Sequence, residues 1–173
     1  MRGERSGWAA VLLIAMVLAS GLLVACGSGS GEGADQFRGQ TKSPLLDFGE
    51  EGSEEELEEG ATVVEDFLTA RADEDWPKAC AQLARSMLAK IEHLATSATN
   101  LEDTSCPSFL GTFTRLSAKE RKDSKVVDAG SMRVQGRRAF LIYYGAEKVV
   151  YSMPLNLEGD AWKVASLSSN RLS

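Results

Sequence analysis

Val126-Val127-Asp128-Ala129-Gly130-Ser131-Met132-Arg133-Val134, then Gln135-Gly136, then Arg138-Ala139-Phe140-Leu141-Ile142-Tyr143-Tyr144 is the stretch on which the fold turns. Upstream of Lys125 apolar residues recur every three or four positions; from Val126 on they recur every two. The first period is that of a helix with one buried face, the second that of a half-buried strand. The alternation predicts strands over 126–134, 138–144, 148–156 and 161–167. Gln135-Gly136, Gly145-Ala146-Glu147 and Glu158-Gly159-Asp160 separate them, and short glycine-containing connections of this kind are hairpin turns. Helices first and strands afterwards predict an α+β class, with N-terminal helices packed on a curved four-stranded antiparallel sheet.

Working back toward the N-terminus, Ser53-Glu54-Glu55-Glu56 has the form of a capping box, with acids where the helix dipole favours them. The helix it opens runs to Ala72, with Leu57, Val63 or Val64, Phe67 and Leu68 as its apolar stripe and Gly60 as a weak point. Asp75-Trp76-Pro77 restarts a helix, Asp75 as N-cap and Pro77 in the first turn. Trp76, Cys80 and Leu83 share a face, which Met87, Leu88, Ile91 and Leu94 continue after a bend near Ser86. A polar loop covers 96–105, and Pro107 opens a third helix with Phe109, Leu110, Phe113 and Leu116 at helical spacing.

Residues 26–52 are rich in Gly, Ser and acids and read as a flexible tether, which places the domain at 53–173. Ahead of the tether, Arg2 and Arg5 precede an apolar run from Trp8 to Ala25, the layout of a secretory signal at 1–25. The run falls just short of the roughly 20 residues that span a bilayer. It ends Leu23-Val24-Ala25-Cys26-Gly27, which resembles the lipobox of bacterial lipoproteins. The resemblance implies cleavage before Cys26, a diacylglycerol thioether on its sulfur, and a protein lipid-anchored to the cell membrane on its extracytoplasmic face. An uncleaved anchor and an ordinary secretory signal are the alternatives; the cysteine at the end of the run is what separates them.

Charge is uneven. The chain carries −6 overall, yet 32–59 alone holds ten acids against Arg38 and Lys42, while 61–173 is close to neutral. A nucleic-acid binder would show a basic stripe on its domain instead. With Cys26 assigned to lipid, Cys80 and Cys106 remain, and outside the cell two cysteines most simply form one disulfide. No CxxC spacing exists and His93 is the only histidine, so no metal site and no cofactor are expected.

Val64-Glu65-Asp66-Phe67-Leu68-Thr69-Ala70, Asp75-Trp76-Pro77-Lys78-Ala79-Cys80 and the closing Glu158-Gly159-Asp160-Ala161-Trp162-Lys163-Val164 together resemble the nuclear transport factor 2-like superfamily. This superfamily includes ketosteroid isomerases and SnoaL-like proteins. The closest likeness is to small actinobacterial lipoproteins of that fold. The resemblance spans about 53–167 and implies a cone-shaped, cystatin-like sheet wrapped round its helices. Enzymes of the superfamily place a carboxylate or histidine inside the cone, with a tyrosine or second acid to stabilise charge.

Here the strands offer only Asp128, and Gly130 suggests a bulge that would turn Asp128 to solvent. No catalytic residue is assigned. Phe67, Tyr151, Met153 and Trp162 are expected to line the interior, either as core or as the wall of a ligand pocket. Tyr143 and Tyr144 read as sheet packing and His93 as a surface residue. Lys119-Glu120-Arg121-Lys122 and Arg137-Arg138 read as solvated basic loops. The expected function is a membrane-tethered, non-enzymatic domain that binds an envelope protein or a small hydrophobic ligand. The alternatives are an isomerase- or dehydratase-type enzyme for a small hydrophobic substrate and a structural envelope component that forms homodimers through its sheet face.

Overall fold

Ser53 fixes where the first helix begins. Its hydroxyl accepts the Glu56 amide, and the Glu56 carboxylate accepts the Ser53 amide at 2.8 Å, so the capping box is complete. In a computed structural model of the chain, which describes residues 45, 47–97 and 103–172, this helix, α1, spans Glu54–Ala72. Val63, Val64, Phe67, Leu68 and Ala70 are buried along its inner face. Gly60 is the residue that lets α1 close on the sheet. A β-carbon there would stand 2.6 Å from the Met132 sulfur, and this close approach outweighs the roughly 1 kcal/mol of helix propensity that glycine gives up.

Four short helices follow. Asp75 caps α2 (Trp76–Ala81), accepting the Lys78 amide. Then come α3 (Arg85–Ser97), α4 (Cys106–Phe113) and α5 (Ala118–Ser124). Cys80 and Cys106 are joined, which ties α2 to α4 with 6.1 Å between their Cα atoms. The break between α2 and α3 comes before the expected bend at Ser86. Val164 donates its amide to the Gln82 carbonyl at 2.9 Å and accepts the Ala84 amide at 2.8 Å, so the helix is interrupted to bond a strand. Leu94 is 52% exposed, outside the stripe expected to bury it. Leu116 lies beyond the end of α4.

Among the described residues the sheet has six strands, not the expected four. β1 (Glu50–Glu51), β2 (Asp128–Gln135), β3 (Arg138–Tyr144), β4 (Val150–Glu158) and β5 (Ala161–Val164) pair in that order, all antiparallel. β6 (Asn170–Arg171) lies against the other half of β4. The additional strands are two residues each, too short to show a period. β1 falls in the stretch read as tether. It is held there by Arg133, which donates to the carbonyls of Phe48 and Gly49, and by the Phe48 ring set edge-on to Phe140 at 4.9 Å.

The helices cover one face of the sheet. Met132, Leu141 and Met153 are in register on that face, with Val134, Ala139 and Leu155 as the next row and Ala129, Tyr143 and Tyr151 as the row on the other side. With Phe67, Leu83, Ile91, Leu110, Trp162 and Val164 they form one core. The expected bulge is present: pairing of β2 with β3 shifts between Ala129 and Ser131.

Candidate functional site

The last turn of α1 carries a cation on its apolar stripe. Arg71 follows Phe67 by four residues, so the two share a face, and the guanidinium lies 5.8 Å from the ring centre. Nη1 donates to the Leu167 carbonyl; Nε is out of contact with water and has no acceptor. Burial pulls the Arg71 pKa below its ordinary value, against the opposing pull of Tyr143 and Glu120.

Beside it stand two tyrosines. Tyr143 on β3 and Tyr151 on β4 are register partners, and their rings stack with centres 5.6 Å apart. Tyr143 is 4% exposed, and its hydroxyl bonds that of Ser169 at 2.5 Å. Burial raises its pKa; the Ser169 bond and Arg71 work the other way. Gly145 is required here for space: a β-carbon would meet the Tyr151 ring at 2.7 Å. Around these groups, α1, the α5 region, the two tyrosines and the 168–171 segment enclose a cleft of about 410 Å3. That volume is within the range of small-molecule sites. Its apolar wall includes Leu68, Leu116, Val126 and Val149.

Charges at the rim are largely spoken for. Lys119 pairs with Asp123 and, at 3.4 Å, with Glu147. Glu120 closes a second capping box at the start of α5, accepting the Ser117 amide at 2.8 Å, and the Ser117 bonds hold its carboxyl below the usual range. The segment read as a basic loop is therefore a helix, and it forms one side of the cleft.

The four residues expected to line the interior do not meet in one cavity. Phe67 and Met153 are fully buried in the core. Tyr151 lines the cleft with Arg71. Trp162, 5% exposed, backs a different and more open groove of about 530 Å3. Glu55, Glu58, Glu59, Asp66 and Asp160 line that groove, whose walls come from α1 and β5. Among the described residues no set of three or more His, Cys, Asp or Glu side chains is placed to hold a metal ion.

Asp128 faces solvent at the bulge and pairs with Lys148 at 2.9 Å, so it reaches neither tyrosine hydroxyl. His93 is exposed on α3. Cys26 and the signal lie outside the described residues, and no described helix is long and apolar enough to cross a membrane. Arg71 and Ser169 were not singled out from the sequence. The signal for Arg71 was present, as a cation on the stripe of Val64, Phe67 and Leu68; Ser169 sits in a serine-rich tail with no pattern to mark it. No family model, no curated protein and no solved structure matches this chain.

Proposed function

We propose that this protein is a lipid-anchored, extracytoplasmic binding protein whose domain holds a small ligand in the cleft between Arg71, Tyr143 and Tyr151 without transforming it. The observation that carries the reading is Arg71: a largely desolvated guanidinium with an unsatisfied Nε, set beside stacked tyrosines in a cleft of ligand size. Anchoring rests on the lipobox at Cys26. The cone-shaped nuclear transport factor 2-like fold is part of the same proposal, supported by helices covering one face of an antiparallel sheet.

Nothing in the geometry favours the isomerase or dehydratase alternative. A proton-transfer base needs a dry environment that lifts its pKa. Asp128 is at the surface with Lys148, and the cleft's Glu120 is shifted down instead of up.

Mass spectrometry of the purified full-length chain after incubation with a small-molecule envelope extract tests the proposal. A retained compound that is lost on Tyr151→Ala and recovered unchanged is the expected result. Retention that ignores Tyr151, or recovery of a chemically altered compound, would overturn it.

A further inference from the structure

Resting on the binding reading above, we propose that residues 166–172 form a strap that gates the cleft, and that a ligand reaches Arg71 and Tyr143 as the strap lets go of them. The strap lines the cleft through Ser168, Ser169 and Arg171. It begins after β5 has ended and the Ala165 amide has bonded the Pro154 carbonyl at 2.9 Å. From there on none of its residues is buried, and Leu167 packs against the core only in part. Arg71 Nη1 donates to the Leu167 carbonyl, and the Tyr143 and Ser169 hydroxyls bond at 2.5 Å. β6 pairs with two residues of β4, and the Leu172 amide reaches the Val150 carbonyl at 2.9 Å. A segment held by a few hydrogen bonds and little apolar burial opens locally, without unfolding what it lies on.

Two observations set this release apart from fraying of a chain end. First, the strap holds the very groups that the binding reading gives to a ligand, the Arg71 guanidinium and the Tyr143 hydroxyl. A ligand that takes either bond competes with the strap and shifts it toward release. Second, closure strands polar atoms. Among the described residues two buried side-chain polar atoms have no partner, Arg71 Nε and Ser152 Oγ. One belongs to the guanidinium that bonds Leu167, the other to the β4 residue paired with Asn170. A buried polar group without a partner costs free energy that contact with water removes. Release gives water a route to both atoms, so the cost falls on the closed form and weakens it.

Acetylation of the full-length chain by N-acetylimidazole, followed tyrosine by tyrosine with peptide mass spectrometry, reads the gate without a ligand. Exposed Tyr144 supplies the reference rate and buried Tyr143 the gated one. Leu172→Pro removes one amide donor of the strap, three residues beyond Ser169, and leaves every side chain of the cleft in place. It is expected to speed acetylation of Tyr143 about fivefold, the equivalent of one hydrogen bond, with Tyr144 and the protection of the β3 amides unchanged. The envelope-extract experiment, repeated on this variant, is expected to retain more compound than the parent, because a larger fraction of the chains is open. An unchanged Tyr143 rate would overturn the gate, since Tyr143 would then be reached without release of the strap. A faster Tyr143 with no gain in retention over a parent that does retain a compound would overturn it as well. Both results leave the binding reading standing. A parent that retains nothing from the extract removes that reading, and the gate with it, whatever the acetylation rates.

Discussion

Tyr143 owes its depth to register. It is paired between Ala129 and Tyr151 on the face that the helices cover, so its ring is core while its hydroxyl reaches the cleft and Ser169. Burial favours the neutral phenol, so the folded pKa stands above the ordinary value of about 10. A group whose pKa is raised on folding contributes stability that is complete below its unfolded value and is lost as pH rises through the folded one. The domain is therefore expected to lose stability above about pH 10 more steeply than Tyr143→Phe, which has nothing to ionise there. At neutral pH the variant should be weaker by about 1 kcal/mol for the lost Ser169 bond. Urea midpoints across the alkaline range check both statements; superimposable alkaline limbs for the two proteins would contradict the first. Tyr144, the next residue, points to the other face and is 41% exposed, which is the period of two expressed in adjacent side chains.

At the scale of elements, the short helices α2 and α4 are held by what they pack on: α2 lies against α1 and α4, and α4 buries Leu110 in the core and meets α3. α2 is six residues and α4 eight, below the length at which isolated helices persist in water. The Cys80–Cys106 bridge closes a loop across 26 positions, and the chain-entropy relation gives about 3.5 kcal/mol for such a loop. Cys80→Ala with Cys106→Ala is expected to lower unfolding free energy by roughly that amount, with far-UV dichroism and the sheet's amide signals retained. A variant as stable as the parent, or one that loses the sheet, would contradict this. The same comparison shows what was legible. β3 is found at the residues expected from alternation, and α1 ends at Ala72 as its stripe and the following turn indicate. The capping boxes differ in outcome. At Ser53 an apolar stripe follows the box and made the helix readable; at Ser117 the following residues are charged and α5 buries none of them, so no period marks it. β1 and β6 are held by partners distant in sequence, Val134 and Arg133 for one and Tyr151 and Ser152 for the other. Local pattern carries no trace of such pairing. The cleft was hidden for the same reason: its walls come from α1, α5, two strands and the tail, and only the fold brings them together.

On the scale of the whole molecule, the acidic stretch from Glu32 to Glu59 and the near-neutral domain after it form two electrically different parts of one chain. The end of that stretch lies in the described domain, through β1 and the start of α1. What precedes it is proposed to join the domain to a lipid on Cys26. A diacylglyceryl group supplies two acyl chains, which satisfies the requirement for stable anchoring without help from a basic patch. The −8 balance over 32–59 would be repelled by anionic head groups, so adsorption through this stretch is not an alternative route to the membrane. The chain is therefore expected to depend on the cysteine alone. Expressed in a bacterial host and fed labelled palmitate, the parent should take up label and yield a mature chain beginning at Cys26. Cys26→Ser should take up none and keep residues 1–25, because the lipoprotein peptidase acts only after the thioether has formed. If the parent's mature N-terminus lies elsewhere and its mass shows no lipid, the anchor is wrong and the apolar run is an ordinary export signal; an unprocessed, unlabelled parent would make that run the anchor instead. Either result would leave the cleft, the disulfide and Tyr143 as they are, since every contact they use lies within 45–172.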